Sequence, residues 1–131
     1  MVLVDTNVII DIMSGAPVWA SRSEAALGRI DSGVAGIGPI VYAELAAGIA
    51  RRNDLDAALL RMGLSQFEMS FDAYFNAGRA HAAYRARGGV RASILPDFFI
   101  GAHAAALGCP LLTRDPKRYR TAFPDVPLIE P

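Results

Sequence analysis

Three carboxylates in this chain stand alone in apolar surroundings. Asp5 is the only charged side chain in Met1–Ile10, Glu44 the only one in Ser32–Ala50, and Asp97 the only one in Ala92–Thr113. A fourth, Asp115, closely follows the apolar run Pro110–Thr113. An ionised carboxylate taken out of water is costly unless something positive meets it. Singly, three of the four have ordinary readings. Asp5 is placed to cap a helix that starts near Asn7. Asp97, after Pro96, is placed to complement a helix dipole from the first turn. Asp115, before Pro116, suits a turn. Glu44 is harder to dismiss, because only Tyr42 and Glu44 are polar in PIVYAELAAGIA. Charged residues are rarely buried without a partner.

Jointly they suggest one acidic pocket. Two carboxylates about 4 Å apart repel by roughly 4 kcal/mol at an effective dielectric of about 20. Four gathered together need compensation, from Arg side chains or from a divalent cation. Oxygen donors suit hard cations such as Mg²⁺ and Mn²⁺. No His/Cys set has the spacing of a zinc site, and His81 and His103 are single histidines on Ala-rich helical stretches.

The elements that must position these acids follow from the hydrophobic pattern. Val2–Val4 reads as a short buried strand ending at Asp5, and Asn7–Met13 as a helix stopping at Ser14-Gly15. Val18–Ile30 reads as a helix and Val34–Gly38 as a second strand. Pro39, favoured in a first turn, opens a helix to about Ile49. Asp54–Met62 is an amphipathic helix and Gln66–Ser70 a weak strand candidate. Asp72–Arg87 is a long helix closed by Gly88-Gly89. Asp97–Leu107 is another, opened by Pro96 and closed by Gly108. Pro110–Thr113 is a strand, and Leu128-Ile129 a candidate for the last. Strands alternating with helices argue for an α/β fold with a mostly parallel sheet. Sites in such sheets gather at the carboxyl ends of strands, where Asp5 and Asp115 lie.

At 131 residues the chain is expected to form a single domain over 1–131, with no linker or repeat. Hydrophobic residues make up 53%, which argues against disorder. Apolar stretches are interrupted too early for a membrane span. The N-terminus meets an Asp before any basic segment, so it is not read as a signal peptide. The single cysteine, Cys109, excludes an internal disulfide and reads as a small buried apolar residue. A reducing, cytoplasmic setting is the expectation.

Net charge is zero, where bulk electrostatic binding of nucleic acid would favour a basic domain. The distribution modifies this. Twelve of the 13 basic residues are Arg, which forks onto phosphate as Lys cannot. A codon bias explains the excess equally well, but not the clustering near Asp97 and Asp115. Arg85, Arg87, Arg91, Arg114, Lys117 and Arg118 are therefore weak candidates for RNA contact, with solvated surface charge as the plainer role.

The runs VLVDTNVIID, YAELAAG and LPDFFIGAHAAALGCPLLTRD, with the ending RYRTAFPDVPLIEP, resemble PIN-domain ribonucleases. More narrowly, they resemble the VapC toxins of type II toxin–antitoxin pairs. The resemblance runs from Val2 to Pro131. It implies a three-layer α/β/α sandwich whose acids bind Mg²⁺ or Mn²⁺. Asp5, Glu44, Asp97 and Asp115 fall on its four acidic positions. Asp5 and Asp97 would be the main metal ligands, Asp115 a further or water-mediated one, and Glu44 an aid to holding metal-bound water. Thr6, Asn7 and Thr113 match positions that brace the acids. Asp11 is expected at the surface rather than as a fifth ligand. The resemblance also implies a homodimer and an antitoxin whose tail covers the site. The reaction would be endoribonucleolytic, with water activated by the metal and products carrying 5′-phosphate and 3′-OH ends.

Other readings remain open at this stage. A haloacid-dehalogenase-like phosphatase needs a second Asp where this chain has Asn7. A phosphoacceptor receiver domain needs a paired Lys, and Lys117 lies too near the end. A PIN-superfamily nuclease acting on DNA or in RNA processing is the nearest rival. A non-catalytic module that takes up a partner's cationic side chains is another.

Overall fold

The computed structural model describes residues 1–91 and 95–131. Its elements run β1 (Val2–Val4), α1 (Thr6–Ser14), α2 (Trp19–Gly28), β2 (Ala35–Ile37), α3 (Pro39–Ala46) and α4 (Arg52–Arg61). Then follow β3 (Ser65–Gln66), α5 (Phe71–Ala86), α6 (Pro96–Leu107), β4 (Leu111–Leu112), α7 (Lys117–Ala122) and β5 (Leu128–Ile129). The strands form one sheet in the order β3-β2-β1-β4-β5, and every pairing is parallel. With its helices the sheet makes a three-layer α/β/α sandwich. The expected mostly parallel sheet is thus parallel throughout.

Helix-covered parallel strands read as continuous apolar runs. Leu3, Val4, Leu111 and Leu112 have 0% exposure accordingly. Leu3 pairs with both Gly36 and Leu111, which places β1 at the centre. The Asp5 N–H donates to the Leu112 carbonyl at 2.9 Å, extending the β1–β4 pairing one residue beyond the strand. Strand order reverses between β1 and β4. That reversal is the topological switch point, where open α/β sheets form their crevice.

Local signals set most boundaries. Asp5 caps α1 by accepting from the Thr6 N–H, and Gly15 ends it at φ 64°, a left-handed cap that suits glycine. Pro39 and Pro96 open α3 and α6. Gly38 faces the His103 ring so closely that a Cβ there would overlap it. His103, pinned to the Glu68 carbonyl at 2.9 Å, is a buried helix residue. Burial also lowers its pKa. Cys109 is buried, and desolvation pushes its thiol up. A smaller cluster of Ala77, Phe98 and Ala102 joins α5 to α6. Among the described residues no helix is long and apolar enough to cross a membrane.

Four expectations need correction. Strand β3 is Ser65–Gln66, and the expected Gln66–Ser70 strand does not extend past Gln66. Helix α2 begins at Trp19 because Val18 sits at φ 67°, outside helical space. Helix α3 ends at Ala46, not near Ile49. Helix α7 was not expected, although Pro116 stands as its N-cap, one position before where Pro39 and Pro96 stand in theirs.

Candidate active site

The acids meet around the carboxyl ends of β1 and β4. Asp5 is the innermost, with 4% exposure. Its Oδ1 accepts from the Thr6 N–H at 2.7 Å. Its Oδ2 accepts from Thr113 Oγ1 at 2.7 Å, Tyr119 Oη at 2.9 Å and Asn7 Nδ2 at 3.2 Å. Burial raises the Asp5 pKa and is the largest influence. The Thr113 and Tyr119 hydroxyls oppose it, and the Asp97 charge adds to it. The donors are therefore what allow a carboxylate to sit here.

Asp97 lies in the first turn of α6, which brings Oδ1 within 3.5 Å of the same Tyr119 hydroxyl. One proton cannot serve both acids fully, and the 2.9 Å contact to Asp5 is the stronger. Oxygens sharing one hydroxyl lie within about 6 Å of each other. Two charges at ~6 Å repel by about 3 kcal/mol at an effective dielectric near 20. Tyr119 has 0% exposure, and burial followed by the two carboxylates drives its pKa far upward, so it stays a neutral donor.

Glu44 joins from α3. Its Oε1 accepts from Thr6 Oγ1 at 2.7 Å, and Thr6 directly follows Asp5. Asp115 joins through Arg118, whose Nε lies 2.8 Å from Asp115 Oδ2 while its Nη1 lies 3.1 Å from Asp97 Oδ2. The four acids thus form a chain: Glu44, Thr6, Asp5, Tyr119, Asp97, Arg118, Asp115. They are linked through intervening groups rather than face to face. Among the described residues, no three His, Cys, Asp or Glu side chains are grouped to hold a metal ion as they stand. Mg²⁺ commonly takes only one or two carboxylates and keeps several waters. Asp5 and Asp97, sharing a hydroxyl, fit that smaller requirement, as does the all-oxygen donor set.

Thr6, Asn7 and Thr113 all touch the acids or their neighbours. Asn7 Oδ1 accepts the Arg114 N–H at 3.1 Å, and Thr113 Oγ1 accepts the Asp115 N–H at 3.1 Å. The basic candidates divide. Arg118 is on the acids. Arg85, Arg87, Arg91 and Lys117 are exposed, and among the described residues no hydrogen bond or ion pair ties them to the acids. Arg114 is committed elsewhere. Its Nη2 donates to Asp11 Oδ1 at 3.2 Å, and its guanidinium stacks 5.1 Å from the Trp19 ring centroid. Its Nε is 2.6 Å from Asp11 Oδ2, an ionic contact off the hydrogen-bond line.

Asp11 is accordingly a buried ion-pair partner with 4% exposure, and not the surface residue expected. Sequence reasoning also missed Tyr119. Its usable signal was Pro116, which marks a helix carrying one aromatic among basic residues. Glu44 is half-buried, and Ala43 and Ala46 are the exposed residues beside it on α3.

An all-parallel sheet with braced acids at its switch point places this chain among α/β proteins whose crevice at that point is acidic. Residues 2–124 match the PIN domain model, and the chain belongs to the PIN-domain family. No curated protein matches the chain by sequence. Among solved structures, it is similar to VapBC2 from Rickettsia felis bound to a promoter DNA fragment. The TM-score is 0.70 and identity 20%, over 99% of this chain and 98% of that one. A toxin–antitoxin complex from Klebsiella pneumoniae gives 0.71 at 23% identity, over 96% and 95%. VapBC-1 from nontypeable Haemophilus influenzae gives 0.70 at 22%, over 99% and 98%.

Proposed function

We propose that this chain is the toxin of a VapC-type toxin–antitoxin pair and acts as a metal-dependent endoribonuclease. The observation that carries the reading is the Asp5–Tyr119–Asp97 arrangement at the β1/β4 switch point, in a chain of the PIN-domain family. Asp5 and Asp97 would hold Mg²⁺ or Mn²⁺, with Asp115 as a further ligand. The bound ion would supply Lewis acidity, making water nucleophilic and offsetting charge on the phosphoryl oxygens.

The chain's own residues do the rest. Thr113, Asn7 and the Thr6 N–H orient Asp5, and the Thr113 hydroxyl and Thr6 N–H offset part of the burial that opposes its charge. Tyr119 spaces Asp5 from Asp97. Thr6 orients Glu44, whose free oxygen can accept a proton from water. RNA must approach an acidic pocket, so a nearby cation has to receive its phosphates. Arg118 is the basic residue best placed for that. Ile10 and Met13, 46% and 42% exposed, lie with Ile49 beside Glu44. They offer an apolar strip on which an antitoxin tail would cover the site. A homodimer in the cytoplasm completes the reading.

The test is RNA cleavage with Mg²⁺ or Mn²⁺, with and without chelator. Cleavage should depend on metal, leave 5′-phosphate ends, and disappear in Asp5→Ala and Asp97→Ala. Full activity in either variant would sink the assignment.

A further inference from the structure

We propose that Arg118 is a resident counter-ion that competes with the divalent cation for the acid pocket and, once displaced, receives the substrate phosphate. This rests on the metal-dependent nuclease reading and adds a regulatory step to it.

Asp97 and Asp115 each turn an oxygen to one guanidinium, at 3.1 and 2.8 Å. Arg118 therefore occupies the position between them, as the Tyr119 hydroxyl does between Asp5 and Asp97. A divalent ion taking those oxygens would meet the guanidinium's positive charge, so the two compete for them. The contact is also easy to break. The Arg118 side chain is 61% exposed and the Asp115 side chain 42%, and exposed pairs are held weakly. The stem is anchored on α7, one residue before the buried Tyr119. A displaced guanidinium consequently stays near the pocket, pointing to solvent where a phosphate arrives. Its planar fork suits phosphate oxygens. No other basic side chain among the described residues pairs with Asp97 or Asp115.

Mn²⁺ titration by calorimetry tests this, using the full chain. Arg118→Gln should bind Mn²⁺ about fivefold more tightly than wild type, the gain expected from removing two partly exposed ion pairs. Arg118→Lys, which keeps the charge on a thinner contact, should fall between. Arg120→Gln removes the same charge from the same helix, beside Glu130 instead, and should bind Mn²⁺ as wild type does. At saturating Mn²⁺, Arg118→Gln should raise KM for RNA severalfold with a smaller change in kcat. Unchanged or weaker Mn²⁺ binding in Arg118→Gln overturns the competition. Equal tightening in Arg120→Gln overturns it too, by showing a long-range field effect. An unchanged KM overturns the phosphate role. Absence of Mn²⁺ binding in wild type and both Arg118 variants overturns the metal reading along with this one, whereas binding with no Arg118 effect overturns this one alone.

Discussion

Tyr119→Phe isolates one atom. The ring stays, so the buried aromatic volume is kept and no cavity opens. What goes is the hydroxyl donating to Asp5 at 2.9 Å and touching Asp97 at 3.5 Å. A buried hydrogen bond to a charged group contributes ~1.5–3 kcal/mol, and the longer contact adds little. The substitution would leave Asp5 with one donor fewer in a site where burial already opposes its charge. The expected loss is about 2 kcal/mol at pH 7 in chelator. For a domain of this size ~1 kcal/mol moves Tm by roughly 3–5 °C, so Tm should fall about 6–10 °C. Lowering the pH should shrink the deficit, because a protonated Asp5 needs the donor less. Thermal melting of both proteins across pH reads this directly. A Tm within about 2 °C of wild type at pH 7 would show that the hydroxyl does not stabilise the acid pair.

Three further outcomes follow from the same contacts. In chelator, Asp5 has a folded pKa above its ordinary 3.8. Its ionisation therefore opposes folding above that shifted value, and the cost fades as pH falls through it and is gone below 3.8. Melting curves should accordingly show wild type gaining on Asp5→Asn as pH drops from 7. Arg114→Ala should cost about 2 kcal/mol by denaturant unfolding, and Asp11→Ala less, since only the first strands a buried charge. Equal losses would deny that asymmetry. Gly38→Ala should cost about 1–3 kcal/mol, because its Cβ would press on a His103 ring held by Glu68. A wild-type Tm in that variant would show that the ring has room to move.

The fold was legible where patterns were strong. VLV, the Pro-opened helices and the Gly stops at Gly15 and Gly108 all carried their own local cause. So did the isolation of Asp5 and Asp97, which alternating β and α elements could bring together at a sheet edge. Tyr119 was hidden because its role is entirely tertiary. In KRYR it reads as a surface aromatic, and only the β1–β4 pairing puts its hydroxyl between two acids. Asp11 and Arg114 were misread for the same reason. Each looks solvated in its own segment, and 103 residues separate the partners. The isolation of Glu44 overstated its burial, since alanine can face water without a charged neighbour.

The bond from Thr113 to Asp5 spans 108 residues and that from Tyr119 spans 114. Synthesis therefore delivers the first acid near the start and its braces near the end. A nascent chain on the ribosome would carry Asp5 in water, without the hydroxyls that offset its burial in the finished fold. Only after β4 docks beside β1 and α7 folds does the pocket exist, so an incomplete product lacks it.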